Sequence, residues 1–292
     1  MIDIIIPAYN CSATLDRALA SLEAQTNQSF HVTLVDDRST EDLAPIIQEH
    51  QKKLDLTYIR KEVNEGPGLA RQTGIDQSSG DYLAFLDADD VLMPYAVETW
   101  QYMSSGNPDI DVFHSQFYEQ SYKNGNPALL LHREGFTWMH GKLYKASFLK
   151  QHEIRFHPEI RHMEDSYFNS ICIELGECGT ISIPMYIWIN NPLSITRIEG
   201  GSFHVDWLSN FIHGIYLSTK FLEGKKVCNI RHLVNTIRYI ESNMAEGIIL
   251  SDQSKKEYEY MQRISGAYMV VPAKTATGTN GLNDNLNGTG IS

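Results

Sequence analysis

Unbroken apolar runs and amphipathic segments alternate along the first part of the chain. Four short runs predict strands that are buried on both faces: "IDIIIP", "HVTLVDD", "LTYIRK" and "DYLAFLD". The segments between them predict helices: "SATLDRALASLEAQ", "TEDLAPIIQEHQKK" and "GLARQTGIDQSS". Ser12 and Thr40 are the expected N-caps of the first two helices. Strand and helix alternating over roughly ninety residues predict an α/β fold with a doubly wound, mostly parallel sheet and flanking helices.

The pattern changes after Pro94. "AVETWQYMSS" and "EDSYFNSICIEL" predict helices, whereas "IDVFHSQFYEQ", "PALLLH" and "GTISIPMYIWI" predict strands. Three helical segments can be drawn between Val205 and about Arg263. We therefore predict a main domain of residues 1–200, a helical carboxyl-terminal extension of residues 201–271, and a disordered tail of residues 272–292 that is rich in Gly, Asn and Thr.

Composition limits the classes of partner and the cellular compartments that fit this sequence. A net charge of -12 and a pI of 5.3 argue against a broad basic surface for nucleic acid. The opening "MIDIIIPAYN" has no basic region and no small-residue cleavage site, so we predict no signal peptide. The four cysteines form no CxxC pair, which favours buried thiols in a reducing, cytoplasmic compartment.

An apolar strand that ends in three carboxylates is the most informative local feature. The run from Tyr82 to Leu86 is followed by "DADD", which contains Asp87, Asp89 and Asp90. Clustered carboxylates repel one another, and a divalent cation would compensate their charge. The alternative is an acidic turn in which an aspartate caps the next helix. Because "PAYN" and "DDRS" follow the first two strands, and ligands of such sheets bind beyond the carboxyl ends of the strands, we favour a site.

Six motifs resemble the family 2 glycosyltransferases with the GT-A fold, in their order and spacing. They are "IIIPAYN", "LVDDRST", "NEGPGLARQTGI", "YLAFLDADD", "HGKLYK" and "MEDSYF", and the resemblance covers about residues 1–197. It implies transfer of a sugar from a UDP-sugar with inversion at the anomeric carbon, assisted by Mg²⁺ or Mn²⁺. It also implies a nucleotide-binding half of about residues 1–92 and an acceptor half of about residues 93–200.

The resemblance also assigns roles to the strand-end residues. It implies a metal ion on Asp89, with Asp87 nearer the ribose or the metal, and a uracil NH on Asp37 with Asp36 in support. The nucleotide contacts that it implies are Pro7, Ala8, Tyr9, Asn10, Asp36, Asp37, Arg71, Asp87 and Ala88. The alternatives are a loop plus cap for "PAYN", a turn for "DDRS" and an exposed helix arginine for Arg71.

On the acceptor side, "HMEDSYF" matches the family's Glu-Asp pair. The aspartate of that pair, here Asp165, is implied to be the catalytic base, with Glu164 beside it. Capping of a helix by Asp165 is the alternative, because the pair lies at a predicted helix start. Trp138 and His140 in "WMHGKLYK" are implied acceptor contacts, although a core tryptophan is as good a reading of Trp138. "NNPLSITR" resembles a loop beside the diphosphate, with Ser194, Thr196 and Arg197 as its candidate contacts.

Three function classes fit these residues. We favour a metal-dependent inverting glycosyltransferase whose acceptor is a glycan, a wall polymer or a lipid-linked molecule. The predicted location is cytoplasmic, and a position at the inner membrane surface stays open. The prediction leaves peripheral membrane contact and oligomer formation open. A non-catalytic nucleotide-sugar binding protein would not need Asp165. A sugar nucleotidyltransferase would carry a glycine- and basic-rich loop after the first strand, and "PAYNCSAT" has no such charge.

Overall fold

A computed structural model of the chain describes residues 1–123, 126–133, 137–191, 207–226, 230–245 and 248–269. These residues form one nine-stranded sheet with helices on both faces and a helical carboxyl-terminal extension. The strands are β1 (Ile2–Ala8), β2 (Phe30–Asp36), β3 (Leu56–Arg60), β4 (Tyr82–Phe85), β5 (Val91–Leu92), β6 (Val112–Lys123), β7 (Asn126–His132), β8 (Lys142–Lys145) and β9 (Cys178–Trp188). The helices are α1 (Leu15–Glu23), α2 (Ala44–His50), α3 (Pro67–Gln77), α4 (Ala96–Gly106), α5 (Ala146–His152), α6 (Glu164–Leu175), α7 (Trp207–Gly224), α8 (Ile230–Ala245) and α9 (Asp252–Met269).

The sheet has a parallel half and a mixed half. Its strand order is β3-β2-β1-β4-β8-β6-β9-β5, with β7 paired to β6 outside this path. The first four strands pair in parallel, whereas β8 runs antiparallel to both β4 and β6. The predicted α/β class with its doubly wound, mostly parallel sheet is confirmed.

Alternation along β1 explains why helices cover both faces. Ile4 and Ile6 belong to the apolar cluster that contains the buried side of α1, whereas Ile5 belongs to the cluster that contains α6. Successive side chains of a strand point to opposite faces, so an uninterrupted isoleucine run requires cover on each side. Gly74 allows α3 to lie directly on this strand, because a Cβ atom there would stand 2.3 Å from Ile5 Cγ2.

Both predicted N-caps are wrong. α1 begins at Leu15 and α2 at Ala44, and neither cap residue makes a side-chain cap hydrogen bond. Instead, the amide of Ser12 donates to Glu41 at 2.9 Å, and the Thr40 hydroxyl donates to Asn10 at 3.1 Å. Both residues therefore join the loops after β1 and β2. The expectation of buried cysteines is also wrong for Cys178, which is exposed.

Apolar side chains of the three carboxyl-terminal helices form a cluster of their own, and α7 packs on α6 of the sheet domain. Three helices occur where three were predicted, and their buried residues include Ile212, Ile240 and Met261. Over the ranges that the structure describes, no helix combines the length and the apolar character that crossing a bilayer requires. Residues 272–292, predicted to be a disordered tail, lie outside the described residues, as does Cys228.

Candidate active site

The loops after β1 and β2 are bound to each other at the carboxyl edge of the sheet. Asn10 has a left-handed backbone (φ 48°), its amide donates to Ser39 Oγ at 2.9 Å, and its Oδ1 accepts from the Thr40 amide at 2.8 Å. Asparagine tolerates this conformation better than most residues. Tyr9 beside it is 51% exposed, so its ring is available to a ligand. Pro7 is partly buried and Ala8 is buried at the strand end.

Asp36 is fully buried and its hydrogen bonds are made within the protein. Its carboxylate accepts from the Ser39 amide at 2.7 Å, the Tyr58 hydroxyl at 2.8 Å and the Arg60 guanidinium at 2.7 Å. This arrangement fixes the loop after β2. The role of Asp36 in support of a nucleotide contact stays a prediction.

Asp37 binds the loop that precedes α3. Its two oxygens accept from the amides of Glu65 at 3.1 Å and Gly66 at 2.6 Å, and Lys61 Nζ lies 3.2 Å away. A carboxylate has about four acceptor positions, so these bonds do not exhaust Asp37. The uracil contact stays a prediction, and Asp37 also has the structural task of anchoring that loop.

The "DADD" loop is connected to the end of β9. Tyr186 donates its hydroxyl proton to Asp90 at 2.6 Å and accepts the amide of Asp87 at 3.2 Å. Asp90 also accepts the amide of Ile189 at 2.7 Å. Asn191 donates its side-chain amide to Asp89 at 2.8 Å. The end of β9 and the residues after it thus hold two of the three carboxylates, together with the backbone of the third, Asp87.

The three carboxylates have different charge environments. Burial would raise the pKa of Asp87, but Arg71 and, to a smaller extent, His140 hold that pKa below its usual range. Burial raises the pKa of Asp89, and the neighbouring charge of Asp87 adds to that effect. Burial raises the pKa of Asp90 well above its usual value. A bound cation would stabilise the ionised form of all three.

Asp87, Asp90 and His140 bring one ligand atom each within 4.8 Å of one another. Carboxylate oxygens suit Mg²⁺ and Mn²⁺, and burial lowers the pKa of His140 to about 4, so its imidazole is neutral as a ligand must be. The donor set therefore fits a divalent cation. The predicted pair was Asp89 with Asp87, and among the described residues Asp89 lies beside this group rather than within it.

Arg71 lies between the "DADD" loop and the Glu164–Asp165 pair. It is buried in α3, and its fork donates to Asp87 Oδ1 and to Glu164 Oε1, each at 2.6 Å. The helix arginine is therefore not exposed. Both amino groups are bound to carboxylates, so the predicted nucleotide contact would need a rearrangement or the remaining Nε.

Asp165 is the second residue of α6, and its Oδ1 accepts the Ser166 amide at 2.7 Å. The N-cap position belongs to Met163, which has a left-handed backbone (φ 62°) and makes no side-chain cap bond. Burial and the adjacent Glu164 raise the pKa of Asp165 to about 7, against an opposing effect of Arg71. A carboxylate that titrates near neutral pH is well matched to accept a proton.

Trp138 and His140 belong to an aromatic cluster beside the acidic loop. The ring of His140 stacks on Trp188, with centroids 5.3 Å apart and planes at 27°. Trp138 lies 5.9 Å from Trp188 and 5.2 Å from Phe117. Trp138 is partly buried against the core, so it combines the packing role and the accessible position that the sequence left open. Ser194, Thr196 and Arg197 lie outside the described residues.

The sequence did not reveal Tyr186 and Asn191 as contributors to the site. Both contact the acidic loop from the end of β9. "PMYIWI" is an ordinary apolar strand pattern, and only the pairing of β9 with β5 brings Tyr186 to the carboxylates.

A shallow surface depression of about 840 Å³ is lined by residues such as Ile2, Phe30 and Tyr82. It lies at the amino ends of the parallel strands, opposite to the carboxylates, and does not coincide with the site.

Comparison with known proteins gives relatives for both the sequence and the fold. The chain is 33% identical to the poly(ribitol-phosphate) beta-glucosyltransferase of Bacillus spizizenii over 180 residues, which are 57% of this chain and 28% of that protein. It is 29% identical to glycosyltransferase GlyA of Streptococcus pneumoniae, over 90% of this chain and 41% of that protein. The chain thus spans less than half the length of either relative.

Solved structures share the fold at lower identity. The structure titled S. aureus TarS 1-349 in complex with UDP-GlcNAc matches with a TM-score of 0.62 at 20% identity, over 76% of this chain and 66% of that chain. Mannosyltransferase PcManGT from Pyrobaculum calidifontis, in complex with GDP-Man and Mn²⁺, matches with a TM-score of 0.56 at 12% identity, over 91% of this chain and 75% of that chain. The model of glycosyl transferase family 2 matches residues 3–166, more than half of the chain, and the chain belongs to this family.

Proposed function

We propose that the chain is an inverting glycosyltransferase that moves a sugar from a UDP-sugar to an acceptor hydroxyl with the help of a divalent cation. One observation carries the proposal: the carboxylates of the "DADD" loop and the Glu164–Asp165 pair meet at the carboxyl edge of the sheet, joined by Arg71. The family match and the names of the relatives support it.

The acidic loop would hold the cation. Asp87, Asp90 and His140 would supply oxygen and nitrogen ligands, and Asp89, the ligand that the family pattern implies, lies beside them in the same loop. When bound, Mg²⁺ or Mn²⁺ supplies positive charge to the diphosphate leaving group. Tyr186 and Asn191 keep these carboxylates in place through the hydrogen bonds described above. Preorganised charge of this kind needs little rearrangement during the reaction.

Asp165 is the proposed base. An alcohol is a poor nucleophile while it is protonated, so the acceptor hydroxyl must lose its proton as it attacks. Asp165 is partly accessible, has a pKa near 7 and makes one backbone hydrogen bond, which leaves acceptor positions for a hydroxyl. Glu164 is buried and already bound to Arg71, so it is the weaker candidate.

The proposed donor nucleotide is UDP. Tyr9 offers an exposed ring for stacking, and Asp37 offers acceptor positions for a base NH. TarS, which shares the fold, has been crystallised with UDP and with UDP-GlcNAc. Two relatives are named as poly(ribitol-phosphate) transferases, which makes a wall polymer our first acceptor, ahead of other glycans and lipid-linked molecules. A cytoplasmic location, membrane contact and oligomer formation stay predictions.

A panel of UDP-sugars tests the proposal. Each is incubated with the protein and Mn²⁺, Mg²⁺ or excess chelator, and UDP release is compared with sugar transfer to a poly(ribitol-phosphate) acceptor. We expect metal-dependent UDP release with at least one donor, and transfer when the acceptor matches. Thermal protection by UDP-sugars without any turnover would instead indicate a binding protein. Release of pyrophosphate from UTP and a sugar phosphate would indicate a nucleotidyltransferase.

A further inference from the structure

Arg71 makes two charge-assisted bonds to carboxylates that come from opposite sides of the site. Asp87 follows β4 in the nucleotide-binding half, and Glu164 begins α6 in the acceptor half. Both bonds are 2.6 Å long, and the arginine side chain is only 5% exposed. The two carboxylates lie on one fork, so the planar guanidinium fixes the distance and the angle between them.

The approach of α6 to α3 is built into the sequence. Gly68 in the first turn of α3 faces Glu164, and a Cβ atom there would lie 3.1 Å from Glu164 Cγ and 3.2 Å from its Cβ. That separation is closer than ordinary van der Waals contact, so any side chain at this position would displace Glu164. One turn later, Gln72 accepts the amide of Phe156 at 3.0 Å and holds the segment that leads to α6. These contacts bring Glu164 within reach of Arg71.

We propose that Arg71 is a positioning residue that joins Asp87 to the Glu164–Asp165 pair, and that Glu164 serves to hold Arg71 rather than to accept a proton. This inference rests on the proposed transferase function. Buried ion pairs are often no better for stability than apolar residues, so stability alone does not explain this one. The position of this ion pair explains its presence better, because the pair sets the separation between the cation-binding loop and the base.

The arrangement also affects the charge of Asp165. Groups from four parts of the fold influence it: Glu164 on α6, Arg71 on α3, Asp87 after β4, and Lys142 and Tyr144 on β8. Burial and the charge of Glu164 raise the pKa of Asp165, whereas Arg71 lowers it. We call the fall of the transfer rate at low pH the acid limb. Removing the positive charge of Arg71 should move the acid limb to higher pH, and removing the negative charge of Glu164 should move it to lower pH.

Three variants test the inference. Arg71→Lys keeps the charge but replaces the planar fork with one ammonium group, which cannot hold both carboxylates in the same geometry. Glu164→Gln keeps a carbonyl oxygen for Arg71 and removes the charge. Arg71→Met removes both the charge and the fork. Arg155→Lys is the matched control, because Arg155 also forms a two-bond pair with a carboxylate of α3, Asp76, but on the exposed surface.

The expected results differ between the variants. Arg71→Lys should lower kcat about 10- to 100-fold and change KM for the donor by less than about threefold, because misplacement of reacting groups by about 1 Å costs on the order of 10²-fold. Glu164→Gln should lower kcat by less than about tenfold, since it keeps the bond to Arg71. It should also shift the acid limb to lower pH. Arg71→Met should shift it to higher pH. Arg155→Lys should match the wild type in kcat and KM.

Two outcomes would overturn the inference. Normal kcat in Arg71→Lys would show that the fork is not needed, and this variant decides the matter if Arg71→Met does not fold. A loss of more than about a hundredfold in Glu164→Gln, with its acid limb abolished, would make Glu164 the base. Failure of the proposed function is a separate result, because the wild-type protein itself would then release no UDP from any donor in the panel.

Discussion

Replacing Asp165 with Asn separates a catalytic base from a residue that only stabilises the start of α6. The amide keeps the side-chain oxygen that accepts the Ser166 amide at 2.7 Å, so the local hydrogen bond at the start of α6 can remain. It cannot take a proton at neutral pH. The substitution therefore removes the proposed chemistry and leaves most of the structure intact.

The magnitude of the pH effect follows from the pKa of Asp165. With a pKa of about 7, the carboxylate is about one-eleventh ionised at pH 6 and about ten-elevenths ionised at pH 8, so wild-type transfer should rise about tenfold between them. The Asn variant should lose transfer by roughly two to four orders of magnitude. Its residual rate should be flat over this range, because the titrating group is gone.

The free energy of unfolding should fall as the pH rises, whereas transfer should rise. The pKa of Asp165 is raised from 3.8 to about 7 in the folded protein, so between these pH values the folded state binds a proton that the unfolded state lacks, and stability falls as pH rises. At about 1.4 kcal/mol per pKa unit the full penalty is on the order of 4 kcal/mol, and the remaining solvent contact of Asp165 reduces it to on the order of 2 kcal/mol. The Asn variant should be more stable than the wild type by about this amount at pH 8, and equally stable near pH 4.

The assay combines initial transfer rates from pH 5.5 to 8.5 with urea unfolding at pH 4, 6 and 8. Binding of UDP by calorimetry is the control, and it should be unchanged because Asp165 belongs to the predicted acceptor half. The reasoning is refuted if the Asn variant is active per folded molecule and less stable than the wild type at pH 8. That pair of results would make Asp165 a structural residue of the helix start.

Three further predictions follow from the acidic loop and from α3. Asp89→Asn should lower metal-dependent transfer by about two orders of magnitude or more, and full activity in excess chelator would contradict a metal role. Tyr186→Phe removes the hydroxyl that donates to Asp90, and it should lower the free energy of unfolding by about 1–3 kcal/mol and weaken Mn²⁺ binding in the presence of UDP, as measured by calorimetry. Gly68→Ala should displace Glu164 and lower kcat while UDP affinity is preserved, and a crystal structure with Glu164 unmoved and kcat normal would disprove this.

The parallel half of the sheet could be predicted because each of its strands is a local apolar run. The predicted segments for β1 to β4 agree with the structure to within about two residues at each end. β5 was missed because it has two residues and exists through its pairing with β9. The helix α5 was missed as well, since it follows β8 directly with no separating turn signal. Such elements depend on tertiary contacts that a local pattern does not contain.

The site could be predicted only as far as its residue types. The "DADD" motif after a buried strand indicated Asp87 and Asp89, and the resemblance to the family indicated Asp165. They gave no sign that the fork of Arg71 would be bound to two carboxylates or that Asp37 would hold the loop before α3. A motif specifies which groups are present, whereas their hydrogen-bond partners depend on distant segments.

The long sequence separations within the site have a consequence for folding kinetics. The Arg71–Glu164 bond joins residues 93 apart, Tyr186 and Asp90 are 96 apart, and Asn191 and Asp89 are 102 apart. Contacts of this kind form slowly, because the entropy of closing a long loop must be overcome before they contribute. After dilution from denaturant, helical circular dichroism should therefore recover first and transferase activity last, which makes activity the strictest measure that this chain has reached its native state.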